Sequence, residues 1–142
     1  MADRTASASW QGDLFEGSGM VSAVSSGLFT EAGVTWASRT AEPGGLTSPE
    51  ELLASAHAAC FCMALSNELS SRGHPPARLD VQATCTFVPG TGITTMALDV
   101  TAAVPGVDEA AFREGLDAAE GSCPMSGALR GNVAIHITGT LG

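Results

Sequence analysis

The sequence predicts an α+β fold, and three observations support this class. Residues 6–40 contain three short strand candidates separated by glycine turns, which is typical of an antiparallel meander. A long helix that is apolar on nearly every side follows, and such a helix is buried in a core or an interface. Two further strand candidates are expected to form a second antiparallel sheet, with two more helices and a closing strand after them. Strands and helices in separate runs are characteristic of the α+β class.

The meander is predicted from alternating strand segments on either side of two turns. Gly17-Ser18-Gly19 and Glu31-Ala32-Gly33 supply these turns. In the third strand, alternate residues such as Val34 and Trp36 point to one face. Arg39 is therefore predicted on the less apolar face, near the end of that strand. The predicted strands are Ala6 to Leu14, Met20 to Phe29 and Gly33 to Thr40.

The long helix begins with clear start signals. Ser48 suits the N-cap, Pro49 the first helical position and Glu51 the third, so that Ser48 and Glu51 are expected to form a capping box. The next fourteen residues are apolar with two exceptions, Ser55 and His57. A Gly-His-Pro-Pro run ends the helix.

The second half of the chain is predicted from the same kinds of signal. Asp108 is expected to cap a second helix, Gly121 to end it, and Pro124 to open a third helix that runs to about Arg130. The strands predicted around these helices are Leu79 to Val88, Ile93 to Val104 and Val133 to Thr138.

The composition bounds the size and class of the protein. Its 142 residues fit one domain, 1–142, and a chain of this size often buries further surface by oligomerising. The hydrophobic fraction of 44% and the charged fraction of 15% are those of a globular protein. Six arginines and no lysine stand against fifteen acids, which gives a formal net charge of -9. This balance argues against nucleic acid or an anionic membrane surface as a partner.

The sequence shows no membrane or export signal. No apolar run approaches the ~20 residues that a spanning helix needs, and the first residues lack the basic and then apolar pattern of a signal peptide. We therefore expect a cytoplasmic protein. In that compartment the four cysteines are not expected to form a static disulfide framework. Metal binding, redox chemistry and plain burial remain open for them.

Two cysteines occupy positions that allow chemistry. Cys60 lies in the middle of the apolar helix, where a buried thiol has a raised pKa and is inert unless the fold brings a cation to it. Arg39 is the best candidate for that cation. Cys123 precedes Pro124 at a helix start, where backbone N–H groups stabilise a thiolate. On position alone, core packing also explains each cysteine.

The other candidate residues are better explained by packing. Cys62 points about 200° away from Cys60 round the helix, and Cys85 alternates onto the apolar face of a strand. His57 lies one turn before Cys60 and could touch that thiol, although a satisfied core or interface histidine is the simpler explanation. A zinc site is a poor fit, because no Cys-x2-Cys pair and no His-x3-His pair occurs.

Glu50 has no structural duty beyond a favourable interaction with the helix dipole. About ten residues of helix, a rise of roughly 15 Å, separate it from Cys60 of its own chain. A functional Glu50 is therefore expected to serve Cys60 of a second subunit, whose helix packs against this one. A helix that is apolar on all sides is what such an interface requires.

Two ordered motifs carry a family resemblance. The first is Ser48-Pro49-Glu50-Glu51-Leu52-Leu53 followed by Ala56-His57-Ala58-Ala59-Cys60-Phe61, and the second is Cys123-Pro124-Met125-Ser126. Together they resemble the OsmC/Ohr family of organic hydroperoxide reductases, and the residues around Cys60 and the position of Arg39 look more like the OsmC branch. Ser48 replaces the Asn that is common in the family, and both residues are good N-caps. Two further segments match OsmC patterns, Ala8 to Gly12 and Val104 to Asp108.

This resemblance implies an OsmC-like fold in an intertwined homodimer, with two active sites at the subunit interface. It implies that Cys60 is the peroxidatic cysteine and Cys123 the resolving cysteine. It also implies that Arg39 stabilises the Cys60 thiolate and that Glu50 orients Arg39. No cofactor is implied, whether metal, haem or flavin. The implied reductant is a lipoylated protein or a small dithiol.

The expected function is that of a thiol-dependent peroxidase in a stress response. The Cys60 thiolate attacks an organic hydroperoxide, releases an alcohol and becomes a sulfenic acid, with which Cys123 condenses to a disulfide. A dithiol reopens that disulfide by exchange. Apolar walls from residues such as Leu52, Phe61 and Met63 are expected to favour organic over hydrogen peroxide. Two alternatives remain open, a non-catalytic redox sensor and a small-molecule binding protein of the same fold.

Overall fold

A computed structural model describes all 142 residues, and it confirms the α+β class. The structure has six strands and four helices, and the strands form two sheets of three strands each. The chain divides into two compact units, residues 1–52 and residues 53–142. The single domain expected over residues 1–142 stays a prediction.

The N-terminal unit contains the predicted antiparallel meander, with shorter strands than expected. The first strand ends early because Asp13 Oδ1 accepts hydrogen bonds from the backbone N–H groups of Phe15 and Glu16, at 2.9 Å each. These bonds close a turn where the ladder was expected to continue. The strands, in the order in which they pair, are β1 (Ala6–Gln11), β2 (Ser18–Ala23) and β3 (Ala32–Val34).

The predicted third strand is wrong beyond Val34, because the chain turns there into a short helix, α1 (Trp36–Thr40). Thr35 and Ser38 form a reciprocal capping box. Thr35 Oγ1 accepts from the Ser38 backbone N–H at 3.0 Å, and Ser38 Oγ accepts from the Thr35 backbone N–H at 2.9 Å. Such local bonds compete with pairing in a sheet. Arg39 therefore lies on α1 and not at the end of a strand.

The long apolar helix is α2 (Pro49–Ser71), and its start signals act nearly as predicted. The Glu51 backbone N–H donates to Ser48 Oγ at 3.1 Å, which is one half of the capping box. The Glu51 carboxylate accepts from Thr47 Oγ1 at 2.7 Å, in place of the Ser48 backbone. Glu51 thus has the structural role that the sequence predicted, through a different donor.

Within the C-terminal unit, α2 is buried along one stripe only. The opposite side of the helix is uncovered, and Met63 on that side is 74% exposed. The expectation of a helix buried on all sides is therefore not met in the single chain. The buried stripe repeats every three or four residues and consists of Ala54, His57, Phe61, Leu65 and Leu69.

The length of α2 brings it within the range of membrane-spanning helices. With 23 residues, α2 is long and apolar enough to span a membrane by length and composition. Core helices of globular proteins meet the same criterion. Length and composition therefore do not by themselves assign α2 to a membrane.

The C-terminal unit contains a mixed sheet. Its first two strands pair antiparallel, as predicted, but the last strand joins the middle strand in parallel. A parallel pair needs a long crossover, which the two intervening helices supply. The elements are β4 (Arg78–Val88), β5 (Gly92–Ala103), α3 (Glu109–Ser122), α4 (Pro124–Leu129) and β6 (Ala134–Leu141).

The ends of α3 show one confirmed and one wrong prediction. Asp108 is the N-cap, and its Oδ1 accepts from the Ala111 backbone N–H at 2.8 Å. Gly121 does not end the helix, because Cys123 donates its backbone N–H to Ala119 O at 2.8 Å and closes one further turn. Cys123 is therefore both the C-cap of α3 and the N-cap of α4.

The hydrophobic core lies in the C-terminal unit, which holds every buried hydrophobic side chain of the protein. Helix α3 approaches α2 closely at Gly115, where an added Cβ would lie 2.8 Å from Leu69 Cδ2. A larger residue at 115 would have to push that side chain aside. The largest core side chains are Phe61, Leu65, Leu69, Met96, Leu98 and Phe112.

The N-terminal unit has no buried hydrophobic side chain of its own. Phe15 is 70% exposed and Leu28 is 82% exposed, and several smaller apolar residues are also uncovered. Large exposed apolar surfaces mark interaction sites in folded proteins. The single chain therefore leaves apolar side chains of this unit exposed.

Candidate active site

Cys60 of α2 and Cys123 at the α3–α4 junction meet within the C-terminal unit. Their Sγ atoms are 3.4 Å apart and hydrogen-bonded, and both thiols are free. Cys60 is half-buried, whereas Cys123 is 1% exposed. Sulfur atoms in a disulfide are about 2.05 Å apart, so an approach of roughly 1.4 Å would join them. The structure thus brings together two cysteines that lie 63 residues apart in the chain.

The two thiols have opposite pKa shifts. Burial and the neighbouring Cys123 raise the pKa of Cys60, although a hydrogen bond from the Met125 backbone opposes them. Burial also acts to raise the pKa of Cys123, but hydrogen bonds from the Ser126 backbone and hydroxyl, from Cys60 and from the Met125 backbone outweigh burial and lower it. These contacts do not form a regular side-chain cap of α4. The surroundings of Cys123 in this unit therefore favour its thiolate, whereas those of Cys60 favour its thiol.

A buried serine connects Cys123 to a buried histidine. Ser126 Oγ lies 2.8 Å from His57 Nε2, and both side chains have 0% exposure. His57 Nδ1 is buried and has no hydrogen-bond partner. Burial lowers the pKa of His57, and the negative charge of Glu120 opposes this effect without cancelling it. His57 is therefore neutral at pH 7. His57 was expected to be a packing residue and Ser126 was given no role, although Ser126 stands in the Cys-Pro-Met-Ser motif.

The buried His57 leads to a prediction for stability at acid pH. A histidine whose folded-state pKa lies below the unfolded value of about 6.5 binds more protons when the chain unfolds. Its contribution to stability is thus complete above pH 6.5 and is lost as the pH falls from there toward the folded-state pKa. We expect the free energy of unfolding to fall by at most about 1.4 kcal/mol per pH unit from this group. Urea unfolding of wild type and His57→Gln between pH 7.5 and 5 measures this contribution. If the free energy of unfolding fell in parallel with pH in both proteins, the prediction would be contradicted.

In the N-terminal unit, Arg39 and Glu50 form an ion pair. Glu50 Oε1 accepts from Arg39 Nε at 2.8 Å and lies 2.7 Å from the Arg39 NH2 nitrogen. The Glu50 carboxylate is buried, and its Oε2 atom has no hydrogen-bond partner. The Arg39 guanidinium also lies 5.8 Å from the centre of the Trp36 ring, and Phe15 packs edge-on against that ring at 5.9 Å. Contacts from α1, through Trp36, and from α2, through Glu50, thus fix the position of the Arg39 guanidinium.

An apolar cavity of about 340 Å³ lies beside Arg39 within the N-terminal unit. Arg39 is the one charged residue in its lining, so the cavity combines apolar walls with a single cation. Apolar walls were expected from Leu52, Phe61 and Met63, but none of these residues lines this cavity, and Phe61 is wholly buried in the core of the C-terminal unit. The cavity is lined by Trp10, Leu14, Val34, Thr35, Trp36, Arg39 and Pro49.

The remaining two cysteines differ from each other. Cys85 is half-buried and packs against the core, as predicted. Cys62 is also half-buried, but it lines an open groove of about 630 Å³ beside Met63 and Leu79. Burial and the charge of Asp80 raise the pKa of Cys62. Neither cysteine belongs to the Cys60–Cys123 pair.

Comparison with known proteins identifies the family of this chain. The chain matches the OsmC family profile, described as "OsmC-like protein", over residues 42–138. It is 37% identical over 131 residues to "Peroxiredoxin OsmC" of Escherichia coli (strain K12), a match that covers 90% of this chain and 90% of that protein. It is 30% identical over 96 residues to "Organic hydroperoxide resistance protein" of Xanthomonas axonopodis pv. citri (strain 306), with 67% and 68% coverage.

Solved structures show the same fold. The crystal structure of an OsmC like protein from Mycoplasma pneumoniae superposes with a TM-score of 0.74, at 18% identity, over 99% of this chain and 97% of that one. At this identity the likeness concerns the fold alone. With the family profile matched over 97 residues and the Escherichia coli protein aligned along 90% of both chains, the chain belongs to the OsmC family.

Proposed function

We propose that this protein is a thiol-dependent peroxidase that reduces organic hydroperoxides to alcohols, in the antioxidant stress response of the cell. The single observation that carries the proposal is the contact between Cys60 Sγ and Cys123 Sγ at 3.4 Å, with both thiols free. A reactive thiol next to a resolving thiol is the arrangement that turns peroxide reduction into a closed cycle. The names of the related proteins support a peroxide substrate.

The reaction proceeds in three steps. The Cys60 thiolate attacks the distal peroxide oxygen, so that an S–O bond forms, the O–O bond breaks and the alkoxide leaves as the alcohol after protonation. Cys123 then attacks the Cys60 sulfenic acid, which forms the S–S bond and releases water. A dithiol finally reduces the disulfide by exchange. We propose a lipoylated protein as the physiological dithiol, and the cycle needs no cofactor.

Cys60 needs a cation if it is to ionise before Cys123. In this proposal Arg39, held by Glu50, supplies that charge and lowers the barrier to peroxide attack. About ten residues of α2 separate Glu50 from Cys60 of the same chain, a rise of roughly 15 Å. We therefore propose that the Arg39–Glu50 pair of one subunit serves Cys60 of the other.

Two features support the homodimer that this assignment requires. The outer side of α2 is uncovered, with Met63 at 74% exposure, and the N-terminal unit leaves Phe15 and Leu28 exposed. Burial of apolar surface contributes about 25 cal/mol per Å², so these surfaces favour association with a second copy. We place the dimer in the cytoplasm, where thiols stay reduced between turnovers.

The apolar cavity beside Arg39 supports an organic substrate. A volume of about 340 Å³ accommodates the alkyl or aryl part of a hydroperoxide, while the guanidinium faces its polar end. Hydrogen peroxide has no apolar part and gains nothing from this chamber. We therefore expect a preference for bulky organic hydroperoxides.

The proposal predicts one defined product of a single turnover. Reduced protein treated with one equivalent of cumene hydroperoxide should yield one alcohol and one Cys60–Cys123 disulfide per active site, as measured by chromatography and peptide mass mapping. Dihydrolipoamide should then restore consumption over many cycles, and hydrogen peroxide at the same concentration should react more slowly. Oxidation without repeated turnover would favour the redox sensor. Recovery of free Cys60 and Cys123 after exposure to peroxide would favour the binding protein.

A further inference from the structure

We infer that Ser126, held in place by His57, is a positioning residue that directs a hydrogen bond onto Cys123 and prepares this thiol to close the disulfide. This inference rests on the proposed peroxidase cycle and concerns its second step. It assigns to the buried His57 and Ser126 a part in resolution. Neither residue is proposed to touch the substrate.

The polar groups of His57, Ser126, Cys123 and Cys60 follow one another as a row in the C-terminal unit. His57 Nε2 lies 2.8 Å from Ser126 Oγ, and Cys123 Sγ lies 3.4 Å from Cys60 Sγ. Between these two contacts, a hydrogen bond from the Ser126 side chain lowers the pKa of the Cys123 thiol. His57, Ser126 and Cys123 are each at most 1% exposed. Water therefore cannot replace any of these contacts, and each group depends on its neighbour in the row.

The unpartnered Nδ1 atom of His57 fixes the direction of the row. A neutral imidazole has one N–H donor and one acceptor nitrogen. Buried N–H donors without a partner are rarer in proteins than buried acceptors without one, so the proton belongs on Nε2, which faces Ser126. His57 thus donates to Ser126 Oγ, and the Ser126 hydroxyl proton is left to point at the Cys123 sulfur.

This direction matters for the chemistry of resolution. A hydroxyl that donates to sulfur stabilises the thiolate over the thiol, and the thiolate is the form that attacks a sulfenic acid. In the closing step the Cys123 thiolate forms the S–S bond, the Cys60 S–O bond breaks, and hydroxide leaves and is protonated to water. The hydrogen bonds of the row therefore keep Cys123 in its thiolate form, so that it can attack as soon as the Cys60 sulfenic acid forms.

The charged groups around these residues do not change which of them donate hydrogen bonds and which accept. From α3, Glu120 acts on His57, and Arg130 at the end of α4 binds the Glu120 carboxylate at 2.8 Å. From α2 itself, Cys60 lies one turn beyond His57. Burial outweighs the charge of Glu120, so His57 stays neutral and keeps Nε2–H as the donor.

The first test separates the two chemical steps in full-length protein. Reduced wild type, Ser126→Ala, His57→Leu and His57→Gln are mixed with one equivalent of cumene hydroperoxide, and sulfenic acid and disulfide are counted by mass spectrometry after rapid quenching. We expect Ser126→Ala and His57→Leu to slow disulfide closure about tenfold, which corresponds to the loss of one hydrogen bond to a charged group. Formation of the sulfenic acid should stay within about twofold of wild type. His57→Gln should recover closure, because its amide N–H can take the place of Nε2–H.

The second test needs no peroxide, and so it distinguishes failure of this inference from failure of the proposed function. Cysteine labelled with ¹³C at Cβ reports the ionisation of each thiol by NMR, including buried ones. We expect the titration midpoint of Cys123 to move to higher pH in Ser126→Ala and in His57→Leu, and to return toward the wild-type value in His57→Gln. An unchanged Cys123 titration together with unchanged closure in both variants would overturn the inference. Absence of any Cys60 sulfenic acid in wild type would instead overturn the peroxidase proposal.

Discussion

Cys60→Ser is expected to reduce the rate of organic hydroperoxide consumption by roughly a thousandfold or more, a loss of at least about 4 kcal/mol of transition-state stabilisation. A serine hydroxyl does not ionise near neutral pH and is a poor nucleophile toward a peroxide oxygen. Cys123 is still present in this variant, but it is 1% exposed and cannot meet a bulky substrate. The measurement is consumption of cumene hydroperoxide with dithiothreitol or a lipoylated protein as the reductant.

Two matched variants accompany this experiment. Cys62→Ser removes the neighbouring half-buried thiol of the same helix, which points away from the pair, and should leave the rate within about twofold of wild type. Cys123→Ser should allow one round of oxidation at Cys60 and block formation of the intramolecular disulfide. Unchanged consumption in Cys60→Ser would remove the basis of the proposed mechanism.

Arg39→Met is expected to slow the attack of Cys60 on the hydroperoxide by about a hundredfold, or roughly 2.7 kcal/mol, without changing the rate of disulfide closure. Methionine keeps an unbranched apolar stem but removes the charge that is proposed to favour the Cys60 thiolate. The loss should shrink as the pH rises, because the thiolate then forms without help. Rates of sulfenic acid formation between pH 6 and 10 measure the effect.

The control for Arg39→Met is Arg113→Met, which removes an exposed arginine that pairs with Glu109 on the surface of α3. Arg113→Met should alter neither the rate of sulfenic acid formation nor the rate of disulfide closure. If both variants slowed sulfenic acid formation equally, net charge would be the cause and a local role for Arg39 would be contradicted.

The same variant tests whether the site is shared between subunits. Co-refolding equal amounts of Arg39→Met and Cys60→Ser chains gives about one half mixed dimers, each with one complete site if Arg39 serves the partner's Cys60. The mixture should then regain about a quarter of wild-type activity. If Arg39 serves Cys60 of its own chain, no mixed dimer contains a complete site and activity stays at the level of the separate variants.

Local signals predicted the helix starts well, because the caps are made by side chains that are close in sequence. Ser48 and Asp108 both accept the backbone bonds expected of N-caps. The error at Arg39 has the same origin: the reciprocal bonds of Thr35 and Ser38 also form a cap, inside a segment whose alternation resembled a strand. Two local signals competed there, and the hydrogen-bonding side chains decided the outcome.

Long-range features of the site were less accessible from the sequence. Their positions in the sequence made Cys60 and Cys123 candidates for chemistry. Spacing in the sequence cannot show, however, that two thiols 63 residues apart lie in contact. Phe61 was expected to supply an apolar wall of the site on the basis of composition and family resemblance, whereas one step along the helix from Cys60 turns it by about 100° into the core. The parallel pairing of β6 was missed for the same reason, since alternation fixes the face of a strand and not its neighbour.

The cavity beside Arg39 also gives the protein an optical property. The chain contains two tryptophans and no tyrosine, and both tryptophans, Trp10 and Trp36, line that one chamber. Trp36 in addition stands against the Arg39 guanidinium. All indole fluorescence of the protein therefore originates at the wall of a single cavity. The native chain thus reports, without a label, what enters that cavity.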